Sequence, residues 1–247
     1  MIIIILITIS IFLIFYLKKN KIESLIDTNK IKLLRHYIFI NPYDLEEDMN
    51  KNETFIYIKK KYDKKYVNKE IVKYYSYNDI KELAKNFDSK LYNLFIKINP
   101  IYPALLADIG RILILYNYGG VYHDLKFFST KKLSNYLNYT KSKFFVDSRY
   151  NNKIRNSNII VLERNNIYLK EILQLMTQKL TKLYEKNILD GRKYVYFVGS
   201  VSFFEIVKKY DKNITKLFKE FIERDNEIYF KNIVKWQDTH EKLFLEN

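Results

Sequence analysis

The chain has 247 residues, of which 48% are hydrophobic and 29% are charged, a balance that excludes a wholly disordered chain and a collagen-like fibre. Its length suits one large domain, and the absence of cysteine excludes a disulfide framework and any thiolate metal site. The net charge of +15 would suit a polyanion. The lysines are spread along a chain also rich in Asn, Ile, Tyr and Phe, which favours compositional drift over a specific nucleic-acid site.

Residues 2–17 form the first predicted element, an apolar run that reads IIIILITISIFLIFYL. With Met1, a helix here would be about 25 Å long at about 1.5 Å per residue, near the range that thin membranes need. The same run could be the apolar region of a secretory signal peptide. We favour an uncleaved membrane anchor because KKNKIES follows the run and offers no small-x-small cleavage site.

The orientation in the membrane is left open by the sequence. Three lysines follow the apolar run within residues 18–21 and no basic side chain precedes it, which by the positive-inside rule places the bulk of the chain in the cytosol. In so lysine-rich a chain this asymmetry is weak evidence. N-x-[ST] sequons at Asn52, Asn138 and Asn213 are close to the roughly two expected by chance, so they do not decide lumenal exposure.

Strands and helices are predicted to alternate beyond a polar stretch at residues 18–32. We expect strands at Leu33–Ile40, Thr54–Ile58, Glu70–Tyr75, Val121–Asp124, Phe144–Asp147, Ile159–Leu162 and Val195–Val198. We expect helices at Asn78–Phe87, at Ser89–Ile98 with Ser89 as cap, from Pro103 to the Gly119-Gly120 pair, at Ile167–Lys186 and at Val201–Tyr210. This mixed order predicts an α/β domain on a largely parallel sheet.

Two charged residues interrupt the apolar helix that begins at Pro103. Asp108 and Arg111 are three residues apart, so they lie on one helical face. A buried carboxylate and a buried guanidinium must be paired or bound to something polar. Taken alone, these two residues are better explained as a structural ion pair than as a binding site.

The next element changes that interpretation. The Gly119-Gly120 pair turns the chain sharply from the helix into a strand that carries Asp124. Residues two apart on a strand share a face, so Asp124 and Lys126 point the same way. The helix pair, the double glycine and the strand carboxylate are therefore expected to converge on one pocket.

This stretch resembles a known family. PALLADIGRILILYNYGGVYHDLK matches A-x-x-A-D-x-x-R-x-x-x-L-Y-x-x-G-G-x-Y-x-D, which looks like the sugar-nucleotide signature of glycosyltransferase family 32, the proteins with a DXD sugar-binding region related to yeast initiating mannosyltransferases. The similarity is strong over residues 77–128 and weaker over 33–245. Upstream it includes SYNDIKELAKNFDSKLYNLFIKINP and downstream NSNIIVLERNNIYLKEIL, while Gly199 alone remains of the family's T-G-P turn.

The resemblance implies a GT-A type fold, a Rossmann-like α/β domain that binds a nucleotide-sugar at its strand ends. It also implies retaining transfer, often with Mn²⁺ or Mg²⁺. Asp108 and Arg111 match the family's pair that contacts the donor sugar and diphosphate, and Asp124 matches the first Asp of the DXD. These three are the predicted catalytic residues, with Asp124 as the metal ligand. The predicted donor-binding set is Asp108, Arg111, Gly120, Tyr122, Asp124, Lys126 and Asn158.

Lys126 departs from the family pattern, because it occupies the third DXD position where the direct metal ligand normally stands. An ammonium group cannot coordinate a cation. Three alternatives follow: Lys126 neutralises the diphosphate itself, the metal is held by Asp124 with groups such as Asp147 or His240, or catalysis is lost. D-x-K variants in a branch of the family favour retained function. The simplest explanation of Lys126 is an ion pair with Asp124.

Weaker candidates lie outside this motif. Asn158 matches the family's downstream Asn near the donor, although a turn residue would look the same. His123 is expected on the strand face opposite Asp124. His240 and Trp236 loosely resemble the family's closing His/aromatic segment, and Trp236 could equally be a core residue.

The sequence therefore predicts a membrane-anchored glycosyltransferase that moves a hexose from a nucleotide-sugar to a glycan or protein acceptor. The alternative is a catalytically inactive glycosyltransferase-like binding protein. The predicted regions are a membrane anchor or signal segment at 1–17, a juxtamembrane stem at 18–32 and a glycosyltransferase domain at 33–247. A lumenal catalytic domain, in a Golgi-like or ER-like compartment, is the expected location of such an enzyme.

Overall fold

The computed structural model describes residues 34–66, 71–129, 143–150, 153–217, 222–224 and 240–245. The described residues all belong to one of two compact units, which comprises Leu33–Lys131 and Lys141–Asn247. The predicted anchor, the predicted stem and Trp236 lie outside the described residues. Within those ranges, no helix combines the length and the apolar character needed to cross a membrane.

A mixed β-sheet forms the centre of the described unit. The strands, in chain order, are β1 Leu34–Ile38, β2 Ile71–Tyr75, β3 Gly120–His123, β4 Phe127–Ser129, β5 Phe144–Tyr150, β6 Lys153–Val161, β7 Thr215–Leu217 and β8 Ile222–Arg224. The main sheet has the order β2-β1-β3-β6-β5-β7, and β4 pairs with β8. β1 is parallel to β2 and β3, and β5 to β7, but β6 is antiparallel to both its neighbours. The predicted α/β class is confirmed, whereas the largely parallel sheet is in fact mixed.

Helices alternate with the strands along the chain and pack on the sheet. They are α1 Glu53–Tyr66, α2 Tyr77–Phe87, α3 Ser89–Phe95, α4 Pro103–Tyr118, α5 Ile167–Glu185, α6 Arg192–Tyr196 and α7 Ser202–Lys209, with a π-helical turn at Phe197–Val201 and 3₁₀ turns at Met49–Lys51 and Asp211–Asn213. The predicted helix at Ser89 forms, but Asp88 rather than Ser89 caps it, since the Asp88 carboxylate accepts from Leu91 N.

Two of the predicted strands are helical. Thr54–Ile58 lies in α1, where Phe55, Ile58 and Tyr62 recur at helical spacing and are all buried. Asn52 also caps this helix, since its side chain accepts from Phe55 N at 3.1 Å. Val195–Val198 runs from α6 into the π-helical turn, with its two valines buried three residues apart. A short apolar run does not by itself distinguish a strand from one turn of helix.

The helix α4 lies at the centre of the core, which is why its two charged residues are buried. Except for the partly buried Ala107, its apolar side chains from Leu105 to Leu115 are buried, and Pro103 occupies its first turn as predicted. A helix that is apolar on all sides must be covered on all sides. Asp108 and Arg111 are consequently enclosed, with residue exposures of 7% and 5%.

The Gly119-Gly120 pair joins α4 to β3 with a backbone that few other residues adopt. Both glycines have positive φ, 64° and 92°. A Cβ atom on Gly120 would lie 2.5 Å from the Leu34 carbonyl oxygen and 2.8 Å from His36 Nε2. His36 Nε2 itself donates to the Gly119 carbonyl at 2.8 Å, and burial lowers the pKa of His36 to about 4, so its ring is neutral. The predicted crowded turn is confirmed.

Candidate active site

Arg111 joins the two predicted carboxylates at the end of β3. Its Nη2 lies 2.8 Å from Asp108 Oδ1 and 3.2 Å from Asp124 Oδ1. The side chains of Arg111 and Asp108 are 6% and 10% exposed, and that of Asp124 is 35% exposed. The structure therefore brings together the three residues that the motif singled out, with Asp124 on the open side.

Tyr122 supports Asp124 from the same face of β3, two residues earlier. Its hydroxyl donates to Asp124 Oδ1 at 2.9 Å, and the Arg111 guanidinium lies over its ring at 4.9 Å from the centroid. Burial raises the pKa of Tyr122 well above the ordinary value, so the hydroxyl keeps its proton. Asp124 Oδ2 takes part in no hydrogen bond or ion pair within the described residues.

The strand β6 contributes two residues that sequence reasoning missed. Arg111 Nη1 donates to the Asn156 carbonyl at 2.6 Å, and Asn156 Nδ2 donates to Asp108 Oδ1 at 3.1 Å. Asp124 N donates to the Ser157 carbonyl at 2.9 Å. The sequence signal for these two residues was the polar triplet NSN before the apolar end of the strand. Their carbonyl groups, which accept from Arg111 and Asp124, have no signature in the sequence because every residue has one.

Burial governs the charge state of Asp108. Burial raises the pKa of this carboxyl to about 6, against the opposing effects of Arg111 and the Asn156 amide. For Arg111, burial disfavours the charge, but the carboxylates of Asp124 and Asp108 outweigh it and raise the pKa above the ordinary value. Arg111 is therefore charged at every physiological pH, and Asp108 ionises in the range just below neutrality.

Gly199 forms part of the wall behind Asp108. It lies in the π-helical turn, and a Cβ atom placed on it would collide with Asp108 Oδ2 and Cγ. Irregular π-helical turns are frequent at functional sites. The absence of a side chain on Gly199 thus leaves room for the carboxylate.

Asn158 and His123 belong to a buried chain of hydrogen bonds that crosses the sheet below Asp124. Arg35 Nη1 donates to His123 Nε2 at 2.9 Å, so the ring proton is on Nδ1, which donates to Asn158 Oδ1 at 2.7 Å. Asn158 Nδ2 then donates to Asp147 Oδ2 at 2.8 Å. Asn158 is 1% exposed with both amide atoms engaged, so its predicted contact with the donor stays a prediction.

The described residues do not form an all-protein cation site. They contain no group of three His, Asp or Glu side chains that could hold a metal. Asp147 is fully buried beside Asn158, and His240 Nδ1 lies 3.5 Å from Asp190 Oδ2. Asp124 pairs with Arg111 rather than with Lys126, which is half-buried in the turn before β4. The ion pair that the sequence suggested between Asp124 and Lys126 is therefore not seen among the described residues.

A family comparison agrees with this geometry. The family model described as glycosyltransferase sugar-binding region containing DXD motif matches residues 18–143, just over half of the chain. The chain belongs to this glycosyltransferase family. The matched range contains Asp108, Arg111, the double glycine and Asp124.

More distant similarities exist among solved structures. The structure titled PaToxG Glycosyltransferase is 18% identical with a TM-score of 0.41, over 72% of this chain and 68% of that one. The ligand-free glycosyltransferase domain from the YGT toxin is 12% identical with a TM-score of 0.39, over 69% of this chain and 57% of that one. Among curated proteins, none matches this sequence.

Proposed function

We propose that this member of the family transfers a hexose from a nucleotide-sugar to a glycan or protein acceptor, with retention of configuration. The observation that carries the proposal is the buried ion-pair cluster of Asp108, Arg111 and Asp124, which opens to solvent through Asp124. Replacing a buried ion pair such as Asp108–Arg111 by apolar side chains is often neutral or stabilising, so stability alone does not account for this pair. The proposal also includes that the chain belongs to glycosyltransferase family 32, has a GT-A type fold and is a D-x-K variant of the family.

The chemistry assigns a role to each of these groups. The bond from the sugar's anomeric carbon to the diphosphate breaks, a bond to an acceptor oxygen forms, and the nucleoside diphosphate leaves with the bonding electrons. Arg111 is placed to stabilise the negative charge that develops on the leaving group. The Asp108 carboxylate can accept hydrogen bonds from sugar hydroxyls and so orient the ring.

The charge balance of the site supports the presence of a further cation beside the donor. When both are ionised, Asp108 and Asp124 exceed the charge of Arg111 by one, and a diphosphate adds more negative charge. Lys126 can supply positive charge from the turn after β3. Mn²⁺ or Mg²⁺ would be held by Asp124 Oδ2 together with the donor's own phosphate oxygens, since Mg²⁺ is commonly bound by one or two carboxylates plus substrate phosphates. Such a cation would supply charge neutralisation at the leaving group.

The cellular setting is also a proposal. Residues 2–17 would anchor the enzyme in a membrane, after a stem at 18–32, and the catalytic domain at 33–247 would lie in a Golgi-like or ER-like lumen. Glycosylation of an introduced N-x-[ST] sequon near residue 25 would support this orientation, and its absence beside a glycosylated control would place the domain on the cytosolic side.

The function can be tested by donor binding and turnover on the full-length chain. UDP-glucose, UDP-N-acetylglucosamine and GDP-mannose are screened by thermal shift, with and without Mn²⁺, and release of the nucleoside diphosphate is then followed. Donor at about 100 times its dissociation constant should stabilise the fold by about 2.7 kcal/mol. Asp124→Asn, which removes a charge at the open side of the site, should abolish release. No stabilisation by any sugar nucleotide would contradict the proposal.

Lys126 favours one second candidate, a catalytically inactive sugar-nucleotide-binding protein. A lysine at the third DXD position removes the usual second carboxylate ligand. This candidate predicts stabilisation by a donor with no release of nucleoside diphosphate at any Mn²⁺ concentration. Release that Asp124→Asn abolishes would exclude it.

A further inference from the structure

The strand β6 contains a bulge beside the site. Val146 of β5 pairs with Ile159, but the next residue, Asp147, pairs with Arg155. Residues 156–158 of β6 therefore have no backbone pairing partner on β5, although the Asn158 side chain contacts Asp147. A β-bulge bends its strand and re-aims the side chains, and bulges are over-represented next to active sites.

Asn156 is the residue of this bulge that contacts both Asp108 and Arg111. Its backbone carbonyl accepts from Arg111 Nη1 at 2.6 Å, while its side-chain amide donates to Asp108 Oδ1 at 3.1 Å. The residue is half-buried, and its Oδ1 has no hydrogen-bond partner within the described residues. One residue thus fixes both members of the helix pair from a neighbouring strand.

The two carboxylate oxygens of Asp108 differ in the hydrogen bonds that they accept. Oδ1 accepts from Arg111 Nη2 at 2.8 Å and from the Asn156 amide, so it is fully used. Oδ2 has no hydrogen-bond partner within the described residues, so its capacity to accept a hydrogen bond is unused, and it packs against Gly199, where a Cβ atom would collide with it. Two donors on one oxygen fix the plane of the carboxylate, because rotation would break both bonds.

We propose that Asn156 is a positioning residue for the donor sugar, holding Asp108 Oδ1 so that Oδ2 receives a sugar hydroxyl. This inference rests on the proposed function, and it assigns to Asn156 a part in sugar recognition rather than in diphosphate binding. Removing the Asn156 side chain leaves its carbonyl, and hence the second hold on Arg111, in place. The effect on the sugar and the effect on the diphosphate are therefore separable.

The test compares Asn156→Ala with a matched control, Asn117→Ala, in the full-length chain. Asn117 is also half-buried and also makes one side-chain hydrogen bond, to the Leu113 carbonyl at 2.8 Å. It lies nine residues beyond Asp108 on α4, about 13 Å along the helix. Calorimetry measures dissociation constants for UDP-glucose and GDP-mannose and, separately, for UDP and GDP.

Asn156→Ala should weaken binding of the better sugar nucleotide about tenfold and binding of its nucleoside diphosphate less than twofold, since only the sugar contact depends on Asp108 Oδ2. In turnover the KM for the donor should rise more than kcat falls. Asn117→Ala should change neither affinity by more than about twofold. Asn156→Leu, which keeps about the size of the side chain without a charge but loses the N–H donor, should reproduce the loss and guards against misfolding of the alanine variant.

The outcomes separate this inference from the function on which it rests. Equal affinities for Asn156→Ala and wild type, or equal losses for the sugar nucleotide and the free diphosphate, would overturn the role of Asn156 alone. Absence of sugar-nucleotide binding by the wild-type chain would overturn the proposed function and this inference with it.

Discussion

Asp108 is the residue at which stability and function oppose each other. The carboxyl is enclosed by α4, β6 and the π-helical turn, and burial raises its pKa to about 6. Arg111 and the Asn156 amide lower the pKa, while Asp124 raises it. At neutral pH the fold therefore holds an ionised carboxylate that its surroundings only partly compensate. Such unfavourable groups persist where a function needs them.

The first prediction concerns the pH dependence of unfolding. The folded chain keeps a proton on Asp108 up to about pH 6, whereas the unfolded chain releases it near the ordinary value of 3.8. The free energy of unfolding contributed by this group is thus fully present below the unfolded pKa and lost as pH rises through the folded pKa. Asp108→Asn removes this dependence, so urea unfolding between pH 4 and pH 7 should show a flatter profile than wild type.

The same variant should lose donor affinity at least tenfold, because an uncharged amide is a weaker acceptor than the unpartnered carboxylate oxygen Oδ2. Stability and binding would then change in opposite senses at pH 7. Parallel pH profiles for wild type and Asp108→Asn would show that the buried carboxyl does not titrate in this range.

The second prediction concerns Lys126 and the need for metal. A lysine brings one positive charge and three donors, whereas a divalent cation brings two charges and needs oxygen ligands. If Lys126 provides charge beside the diphosphate, Lys126→Ala should weaken donor binding and turnover at every Mn²⁺ concentration. Lys126→Asp should restore a second carboxylate and make turnover rise more steeply with Mn²⁺. Full activity of Lys126→Ala throughout a Mn²⁺ titration would end the charge-replacement hypothesis.

At the scale of the element, the turn between α4 and β3 decides where Asp124 lies. Gly119 ends the helix with φ 64° and ψ −157°, and its carbonyl accepts from His36 Nε2. Gly120 then passes within contact of the Leu34 carbonyl of the adjacent strand. The turn is therefore fixed both by backbone conformation and by a neutral histidine on β1.

The third prediction is that Gly120 cannot carry a side chain. Gly120→Val requires a β-branched residue at φ 92° and a Cβ atom 2.5 Å from a backbone oxygen. We expect a loss of about 1–3 kcal/mol in the free energy of unfolding, measured by urea titration, together with weaker donor binding. Val121→Ala, a buried change in the next residue without the positive φ, serves as the control for lost packing. A Gly120→Val protein as stable as wild type would show an ordinary turn.

Sequence patterns predicted those elements that local chemistry specifies by itself. The helix of Pro103–Tyr118 was predictable from its proline start, apolar periodicity and glycine end, and the convergence of Asp108, Arg111 and Asp124 followed from it. The TFIYI segment was wrongly assigned because five residues fit both a strand and a helix, and its burial is decided by packing of Phe55 against Phe39 and of Ile58 in a cluster with Tyr37.

The contacts made by β6 could not be predicted in this way. They depend on a register shift between β5 and β6 that lies in the pairing of two strands and not in either one. The Asn156 carbonyl reaches Arg111 from the bulged segment, whereas the Ser157 carbonyl continues the β3–β6 pairing to Asp124. Backbone acceptors carry no residue type, so a single sequence gives no sign of them.

At the scale of the described unit, residues from distant parts of the chain close the core at the start of α4. Residues 240–245 lie against the segment before that helix: Asn99 N donates to the Leu243 carbonyl at 2.8 Å, and Leu245 N donates to the Lys97 carbonyl at 2.8 Å. The Tyr102 hydroxyl donates to the Glu241 carbonyl. Contacts over some 140 residues of sequence thus complete the core around the helix that carries the site.

The fourth prediction tests this closure with a pair of nearby leucines. Leu243 is fully buried in the core, whereas Leu245, two residues later, is 47% exposed. Leu243→Ala should lower the free energy of unfolding by about 2–4 kcal/mol, from lost apolar burial and the cavity left behind. Leu245→Ala should lower it by less than about 1 kcal/mol, since much of that side chain already contacts water. Both are measured by urea unfolding, and donor affinity is determined at low urea and again near the midpoint of the transition. Because α4 is positioned by the same core, Leu243→Ala should also weaken donor binding near the midpoint of unfolding, in proportion to its loss of stability. At low urea, where the fold is intact, its donor binding should equal that of wild type. Equal stability losses in the two variants would mean that residues 240–245 lie on the surface without closing the core.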